Sequence, residues 1–423
     1  MRTDRNDTIA AIATAPGRAG VAVVRISGPD ALEVGARVAG RPLRRPLQFV
    51  RTAHDACVTL VFRAPRSYTG EDVVEFQCHG GAVTPRRVLS DCFASGARPA
   101  RRGEFTERAF LNGKLDSVQA ESVLDLINAK TERAADAALE GLSGRSREEH
   151  RALYERALLL STRLEHALDV SEEDLPPGFF PSVSADRARL KEKVDAAVRR
   201  AKEGKILRDG ALVVLAGPPN AGKSSLLNAL LGESRAIVSD VPGTTRDSIE
   251  AWVELDGFPV RLVDTAGLRQ TDDAVEAEGV RRSEALIAKA DVVVDLCGSG
   301  RIAAPGREVV AIHAKCDLSR GKGLNVSART GEGLEALKRE IVGRLCVRPR
   351  DADSEGGPSE RARAVLLEAQ ARLATLESGA EASDLVLMAN ALRQVAEGLG
   401  TLVGATYASD IMESLFSRFC VGK

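Results

Sequence analysis

The chain has 423 residues, 44% hydrophobic and 28% charged, which is the composition of a globular protein with room for two or three domains. A formal net charge of −1 argues against a chain-wide electrostatic footprint for nucleic acid, and seven cysteines without a Cys-x-x-Cys pair argue against zinc or disulfide frameworks. The sequence shows neither a signal peptide nor a run of roughly 20 apolar residues, so we expect a cytoplasmic protein without a membrane segment.

The first part of the chain, residues 8–115, is predicted to be a mixed, β-rich domain. Short β-branched runs at 21–27, 57–62 and 72–78 are bounded by glycine and proline. Beyond this domain the apolar residues recur at helical spacing, and the helical pattern continues to a Pro-Gly loop at 174–183.

Strands and helices alternate from residue 211, which predicts a doubly wound α/β domain. Helices return after a polar, Gly- and Pro-containing linker, so the economical arrangement is an α/β domain inserted into a helical domain. The predicted boundaries are residues 1–117 for an N-terminal α+β domain, 118–207 with 352–423 for a discontinuous helical domain, and 208–351 for the inserted domain.

The segment GPPNAGKSS, residues 217–225, follows a predicted strand and opens a predicted helix, as a phosphate-binding P-loop does. Its glycines allow backbone amides to surround phosphate groups at a helix N-terminus. Lys223 is expected to reach the β- and γ-phosphates, and Ser224 is expected to bind Mg²⁺.

Three later segments indicate that the nucleotide is GTP. Asp264 in DTAG (264–267) is expected in the magnesium shell through water, and the amide of Gly267 is expected to contact the γ-phosphate. Asp317 in AKCD (314–317) can accept two N–H groups from the guanine edge, with Lys315 along the base, and SAR (327–329) fits the last guanine-contacting loop. Ala314 replaces the asparagine that normally opens the guanine motif, so we expect weaker affinity without loss of specificity.

The segment SDVPGTTRD, residues 239–247, occupies the position of a first switch, with Thr245 as the second Mg²⁺ ligand. A simple Pro-Gly turn is the alternative. Leu268 stands where Ras-type enzymes carry a water-orienting glutamine, so hydrolysis needs another group, such as a monovalent cation beside Asn220. The predicted nucleotide-contacting residues are Asn220, Ala221, Gly222, Lys223, Ser224, Ser225, Ser239, Asp240, Val241, Pro242, Gly243, Thr244, Thr245, Asp264, Thr265, Ala266, Gly267, Lys315, Asp317, Ser327, Ala328 and Arg329.

Several segments together resemble the bacterial and organellar tRNA uridine-5-carboxymethylaminomethyl modification GTPases, the TrmE-type family. They are DTIAAIATAPGRAGVAVVRISGP, SYTGEDVVEFQCHGG, GEFTERAFLNGKLDSVQAESVLDLI, GTTRD, DTAGLR and the terminal CVGK. The resemblance covers nearly the whole chain. It implies a folate-binding-like N-terminal dimerisation domain, a helical domain and an inserted, potassium-dependent Ras-like G domain.

The same resemblance implies roles for individual residues. Glu276 matches the acidic residue that orients the attacking water, although a solvated helix-start glutamate is the alternative. The implied potassium ligands are Asn220, Ser239, Val241 and Thr244.

In the first domain Arg25, Glu75 and Lys114 match positions that bind a formylated tetrahydrofolate, and Lys423 joins them from the chain end. An ion pair between strands is the alternative for Arg25 and Glu75, and an exposed lysine is the alternative for Lys114. Cys420 is either a thiol at the modification centre or a small buried apolar residue.

The implied function is GTP-driven modification of the wobble uridine of certain tRNAs at C5. The implied one-carbon donor is 5,10-methylene-tetrahydrofolate, and a separate FAD-dependent protein shares the chemistry with a homodimer of this chain. Two rival functions stay open: a ribosome-assembly or translation GTPase, and a folate-dependent one-carbon transferase in which the P-loop domain is dispensable.

Overall fold

The structure, a computed structural model, describes residues 7–233, 250–264, 281, 283–297, 304–345, 360–376, 385–403, 416 and 418–423. The chain forms two compact units, one of residues 1–124 with 400–423 and one of residues 125–399. Within the described ranges, no helix combines the length and the apolar character that crossing a bilayer requires. The three predicted domain boundaries stay predictions.

The first unit is built on a six-stranded sheet with the spatial order β3-β4-β5-β2-β1-β6. Neighbouring strands are antiparallel except β1 and β6, which are parallel. The strands are β1 (Ile9–Ile12), β2 (Val21–Ser27), β3 (Leu47–Arg51), β4 (Ala56–Phe62), β5 (Val73–His79) and β6 (Arg98–Pro99).

Burial alternates along these strands because successive side chains point to opposite faces. One face packs against α1 (Ala31–Val38) and α2 (Thr84–Ala94), and buries residues such as Val24 and Phe76. The opposite face carries exposed Leu47, Phe49 and Phe62.

The end of the chain is held in the first unit beside α3 (Glu104–Leu111) and α4 (Ser117–Asn128). In the sequence, Ile411, Met412, Leu415, Phe416 and Phe419 share one side of a predicted amphipathic helix. The structure buries Phe416 and Phe419 in one cluster with Ala120. The residues expected to precede them in a helix, 411–415, lie outside the described residues.

The second unit contains a group of helices and a second sheet. The helices are α5 (Glu132–Leu142), α6 (Arg145–Leu168), α7 (Phe179–Asp209), α8 (Lys223–Glu233), α9 (Leu334–Arg344), α10 (Glu360–Thr375) and α11 (Leu385–Val403). Helix α7 packs against α5, α6 and α10, so the segments before and after the second sheet meet in one helical group.

The second sheet has the order β12-β11-β10-β7-β9-β8 and is parallel except for β8, which pairs antiparallel with β9. Its strands are β7 (Ala211–Ala216), β8 (Glu250–Leu255), β9 (Phe258–Asp264), β10 (Val292–Asp295), β11 (Glu308–Ala314) and β12 (Leu324–Val326). The central strand β7 has β9 on one side and β10 on the other, so the strand order reverses there. In open α/β sheets the ligand crevice lies at such a reversal.

Two cations from the start of the helical segment contact the β8–β9 hairpin. The Lys130 ammonium lies 3.3 Å from the centre of the Trp252 ring, and the Arg133 guanidinium lies 4.2 Å from that of Phe258. Trp252 in turn covers Gly210, where a Cβ atom would lie 2.3 Å from the indole. The hairpin is thus packed against the helices on both of its strands. These contacts and the two sheets confirm the predicted multidomain α/β and α+β fold.

Candidate nucleotide and folate sites

The phosphate-binding loop lies between the fully buried strand β7 and helix α8. Asn220 has a φ of 64° and Gly222 a φ of 98°, left-handed conformations that glycine adopts freely and asparagine tolerates. The Lys223 ammonium donates to the carbonyls of Gly217 (2.9 Å) and Pro218 (2.8 Å) and is only 5% exposed. A buried ammonium at the loop is positioned to neutralise phosphate oxygens.

Ser224 and Asp264 meet where α8 begins and β9 ends. The Ser224 hydroxyl donates to Asp264 Oδ2 at 2.6 Å, and the Asp264 side chain is buried. A hydroxyl and a carboxylate are hard oxygen ligands of the kind that Mg²⁺ prefers. The residues therefore fit the magnesium ion that the sequence predicts.

The predicted guanine segments line one cavity of about 240 Å³ beside the phosphate-binding loop. Ser327 donates to Asp317 Oδ1 at 2.6 Å, and this hydrogen bond lowers the pKa of the Asp317 carboxyl, which stays ionised to accept from a base. The cavity is lined by Ala221, Gly222, Ser225, Leu226, Ile312, Ala314, Lys315, Asp317, Leu318, Val326, Ala328 and Arg329. Leu318, Leu226, Ile312 and Val326 were not predicted, because apolar wall residues carry no motif.

Lys315 links the guanine loop to the phosphate-binding loop. Its ammonium donates to the Asn220 carbonyl at 2.6 Å, and its own φ is 58°. Ala314 contributes only a methyl group to the cavity wall. Lys315 therefore links the two loops, whereas the second link that an asparagine amide at position 314 would provide is missing.

The remaining predicted nucleotide contacts lie outside the described residues. They are Ser239, Asp240, Val241, Pro242, Gly243, Thr244, Thr245, Thr265, Ala266, Gly267 and the water-orienting Glu276.

In the first unit Arg25 and Glu75 are directly opposed on β2 and β5, with Arg25 Nε 2.7 Å from Glu75 Oε1. The Arg25 guanidinium also lies over the rings of Tyr68 (5.7 Å) and Phe105 (5.5 Å). Burial lowers the pKa of the Lys423 ammonium, Arg25 adds to this effect and Glu75 opposes it, so all three side chains share one environment. The ion pair between strands, predicted as the alternative for Arg25 and Glu75, is present, and the Lys423 charge interacts with both of its members.

The tail reaches this environment through backbone contacts. Gly103 donates to the Cys420 carbonyl (3.3 Å) and Phe105 to that of Lys423 (3.2 Å). Gly422 has a φ of 100°, and a Cβ there would lie 2.3 Å from the Ile12 carbonyl oxygen, so only glycine fits. Cys420 is exposed, which contradicts the alternative of a buried apolar residue.

Lys114 lies apart from this trio in the described contacts. It is exposed and donates to the Pro65 carbonyl at 3.2 Å. Its aliphatic chain lies against Gly70, in the same loop that carries Tyr68. Among the described contacts, Lys114 is connected to Arg25 indirectly, through this loop and through helix α3, which carries Phe105.

Comparison with known proteins gives matches over both units. The family model described as the GTP-binding protein TrmE N-terminus matches residues 8–114, and the MnmE helical domain model matches 118–420. A protein of Symbiobacterium thermophilum named tRNA modification GTPase MnmE is 43% identical over 466 residues, covering 99% of each chain. One of the same name from Thermus thermophilus is 43% identical over 444 residues, again covering 99% of each.

Among solved structures, the G domain of FeoB from Methanococcus jannaschii is 22% identical with a TM-score of 0.24. It covers 32% of this chain and 98% of its own. This likeness is too low to carry an argument.

Proposed function

The chain belongs to the MnmE family of tRNA modification GTPases, and from that premise we propose that its GTP hydrolysis drives modification of wobble uridine at C5 with a tetrahydrofolate one-carbon unit. The observation that carries the proposal is the presence of two chemically distinct sites in one chain. One holds Lys223, Ser224 and Asp264, and the other holds Arg25, Glu75 and Lys423.

In the nucleotide site each described residue has a separate task. Lys223 neutralises phosphate charge, Asp317 selects guanine, and Ser224 with Thr245 would hold Mg²⁺, with Asp264 behind them. When bound, this ion would supply positive charge against the phosphate oxygens during transfer to water.

We propose that a potassium ion supplies further positive charge beside the phosphate groups. Leu268 cannot orient water, and the exposed Asn220 side chain has no hydrogen-bond partner among the described residues, so its amide oxygen is available to a cation. Asn220 would share that cation with Ser239, Val241 and Thr244. Glu276 would orient the attacking water.

The charges around Arg25 suit a folate. The Glu75 carboxylate can accept from the amino-pyrimidine edge of the ligand, and the neighbouring Arg25 and Lys423 cations can donate to its oxygen atoms. Lys114, on the neighbouring loop, would extend the cationic side. The exposed Cys420 thiol lies on the same tail as Lys423, and we assign it to the modification centre. The bound 5-formyl- or 5,10-methylene-tetrahydrofolate would supply the one-carbon unit.

A homodimer through the first unit fits the open face of its sheet. Leu47 is opposite Leu60, Leu60 is opposite Glu75, and Glu75 is opposite Arg25, so an apolar row runs directly into the candidate folate site. Leu47 is 58% exposed and Phe49, on the same edge strand, is 74% exposed. A second copy would cover this patch. A separate FAD-dependent protein would supply the redox chemistry, and the complex would act in the cytoplasm.

The test is complementation of a deletion strain followed by mass spectrometry of tRNA nucleosides. The wild-type chain should restore the C5-modified wobble uridine, whereas Glu75→Gln and Arg25→Met should not, although both variants should keep GTPase activity in vitro. Isothermal titration with 5-formyl-tetrahydrofolate should show binding only to the wild type. Restored modification by both variants would contradict a folate site at Arg25 and Glu75.

A further inference from the structure

Four arginines gather at one end of the first unit's sheet, and we refer to Arg44, Arg45, Arg63 and Arg66 as the arginine cluster. Arg44 and Arg45 lead into β3, while Arg63 directly follows β4. The two strands are in register here, because the Pro46 carbonyl accepts from the Val61 amide at 2.8 Å. The cationic residues of both strands therefore flank the same end.

A turn brings further charge to this end. Arg66 donates its backbone N–H to the Arg63 carbonyl at 2.8 Å, and Lys114 donates to the Pro65 carbonyl between them. Asp72 contributes a carboxylate at this turn, where Oδ1 accepts from the Ala64 amide at 2.8 Å. The positive charges thus outnumber the negative ones at the turn.

The arginine cluster does not stabilise the fold through ion pairs. Its four side chains are exposed, and within the described part of the chain none of them forms a salt bridge. Arg98 and Arg108 of the same unit, by contrast, each pair with carboxylates at 2.6 Å. Like charges held together without partners repel one another, so their concentration at one place points to an anionic ligand.

We propose that the arginine cluster binds the phosphate backbone of the tRNA, an inference that rests on the function proposed above. The cluster adjoins Lys114 and the loop carrying Tyr68, whose ring contacts Arg25, so a bound strand would run toward the modification site. Phe62, the last residue of β4, is 37% exposed next to Arg63 and offers a ring on which a base can stack. Arginine guanidinium groups bind phosphate oxygens in bidentate fashion.

The experiment compares three full-length proteins for binding of an unmodified tRNA transcript by fluorescence anisotropy over a series of KCl concentrations. The test variant is Arg45→Ser/Arg63→Ser/Arg66→Ser, and the control is Arg18→Ser/Arg86→Ser/Arg87→Ser. The control removes the same number of charges from exposed arginines on α2 and on the loop before β2. That loop lies at the opposite end of the sheet from the arginine cluster, because the last residues of β2 and β4 are aligned through β5. All three proteins should hydrolyse GTP equally, which confirms that the G domain is folded.

The test variant should bind tRNA about tenfold or more weakly near 0.1 M salt, and its slope of log K against log[KCl] should be shallower by about 2 to 3. The control should follow the wild type. Equal binding by the test variant and the wild type would overturn the proposal, as would equal weakening by both variants.

A folate carrying a poly-γ-glutamate tail is also a polyanion, with carboxylates where RNA has phosphodiesters. Weaker binding of pentaglutamyl-tetrahydrofolate together with unchanged tRNA binding would therefore assign the arginine cluster to the folate tail and overturn the RNA proposal. Absence of tRNA binding by the wild type would instead contradict direct tRNA recognition in the proposed function, so the two failures are distinguishable.

Discussion

Arg133 joins three parts of the second unit, and its replacement by methionine gives a measurable test of how the helices hold the β8–β9 hairpin. Its guanidinium pairs with Glu203 of α7 at 2.5 Å and lies over the Phe258 ring. The two charged side chains are only 5% and 15% exposed, so methionine would leave a largely buried carboxylate without this cation.

The expected loss follows from these contacts. Removing one partner of a buried ion pair costs about 3–5 kcal/mol, and a desolvated cation–π contact is worth up to about 2 kcal/mol. Since Glu203 keeps some access to water, we expect Arg133→Met to lower the free energy of unfolding by about 3 kcal/mol. Arg151→Met is the matched control, because Arg151 is 70% exposed and its pair with Glu155 should contribute below about 1 kcal/mol.

The assay is urea unfolding followed by tryptophan fluorescence. The chain has one tryptophan, Trp252, which lies in β8 and therefore reports on this unit alone. A double-mutant cycle with Glu203→Gln should give a coupling energy of roughly 2 kcal/mol. Additive effects, or equal midpoints for Arg133→Met and the Arg151→Met control, would refute the reasoning.

Three further predictions concern other parts of the chain. His150 is buried with neither ring nitrogen hydrogen-bonded in the described structure, and burial with the nearby Arg361 lowers its pKa to about 4. The imidazole of the unfolded chain binds its proton near pH 6.5, so the free energy of unfolding should be highest above about pH 6.5 and fall by about 2 kcal/mol at pH 5. His150→Leu should abolish this loss in urea titrations. An unchanged pH dependence in the variant would contradict the prediction. Ala314→Asn should tighten GDP binding by up to about tenfold in fluorescent-nucleotide titrations. Equal affinities would show that the hydrogen bond from Lys315 to Asn220 already compensates for the missing asparagine amide. GTP turnover should be much faster in potassium than in sodium at equal ionic strength, and equal rates would argue against a cation at Asn220.

The features that the sequence predicted best are those that depend on residues close together in the chain. The P-loop, Asp264 at the end of β9, Asp317 shortly after β11, and the buried Phe416 and Phe419 follow from local spacing and periodicity, because each depends on one strand or helix.

Contacts between distant segments could not be predicted from spacing. The approach of Lys423 to Arg25 was implied only by family resemblance, and the link from Lys315 to Asn220 depends on the left-handed backbone of both residues. No motif or spacing in the sequence singles out Lys130 or Arg133. Their aromatic partners on the β8–β9 hairpin appear only once helix and sheet are packed together.

The central claim is that hydrolysis at the P-loop drives tRNA modification, and Lys223→Ala tests it most directly. Wobble nucleosides would be measured by mass spectrometry in a deletion strain expressing either the wild type or the variant, with expression levels matched. We predict that the wild type restores the modified uridine and that the variant, lacking the ammonium held at Gly217 and Pro218, does not. Full modification in the Lys223→Ala strain would contradict the claim and favour a transferase that does not depend on its G domain.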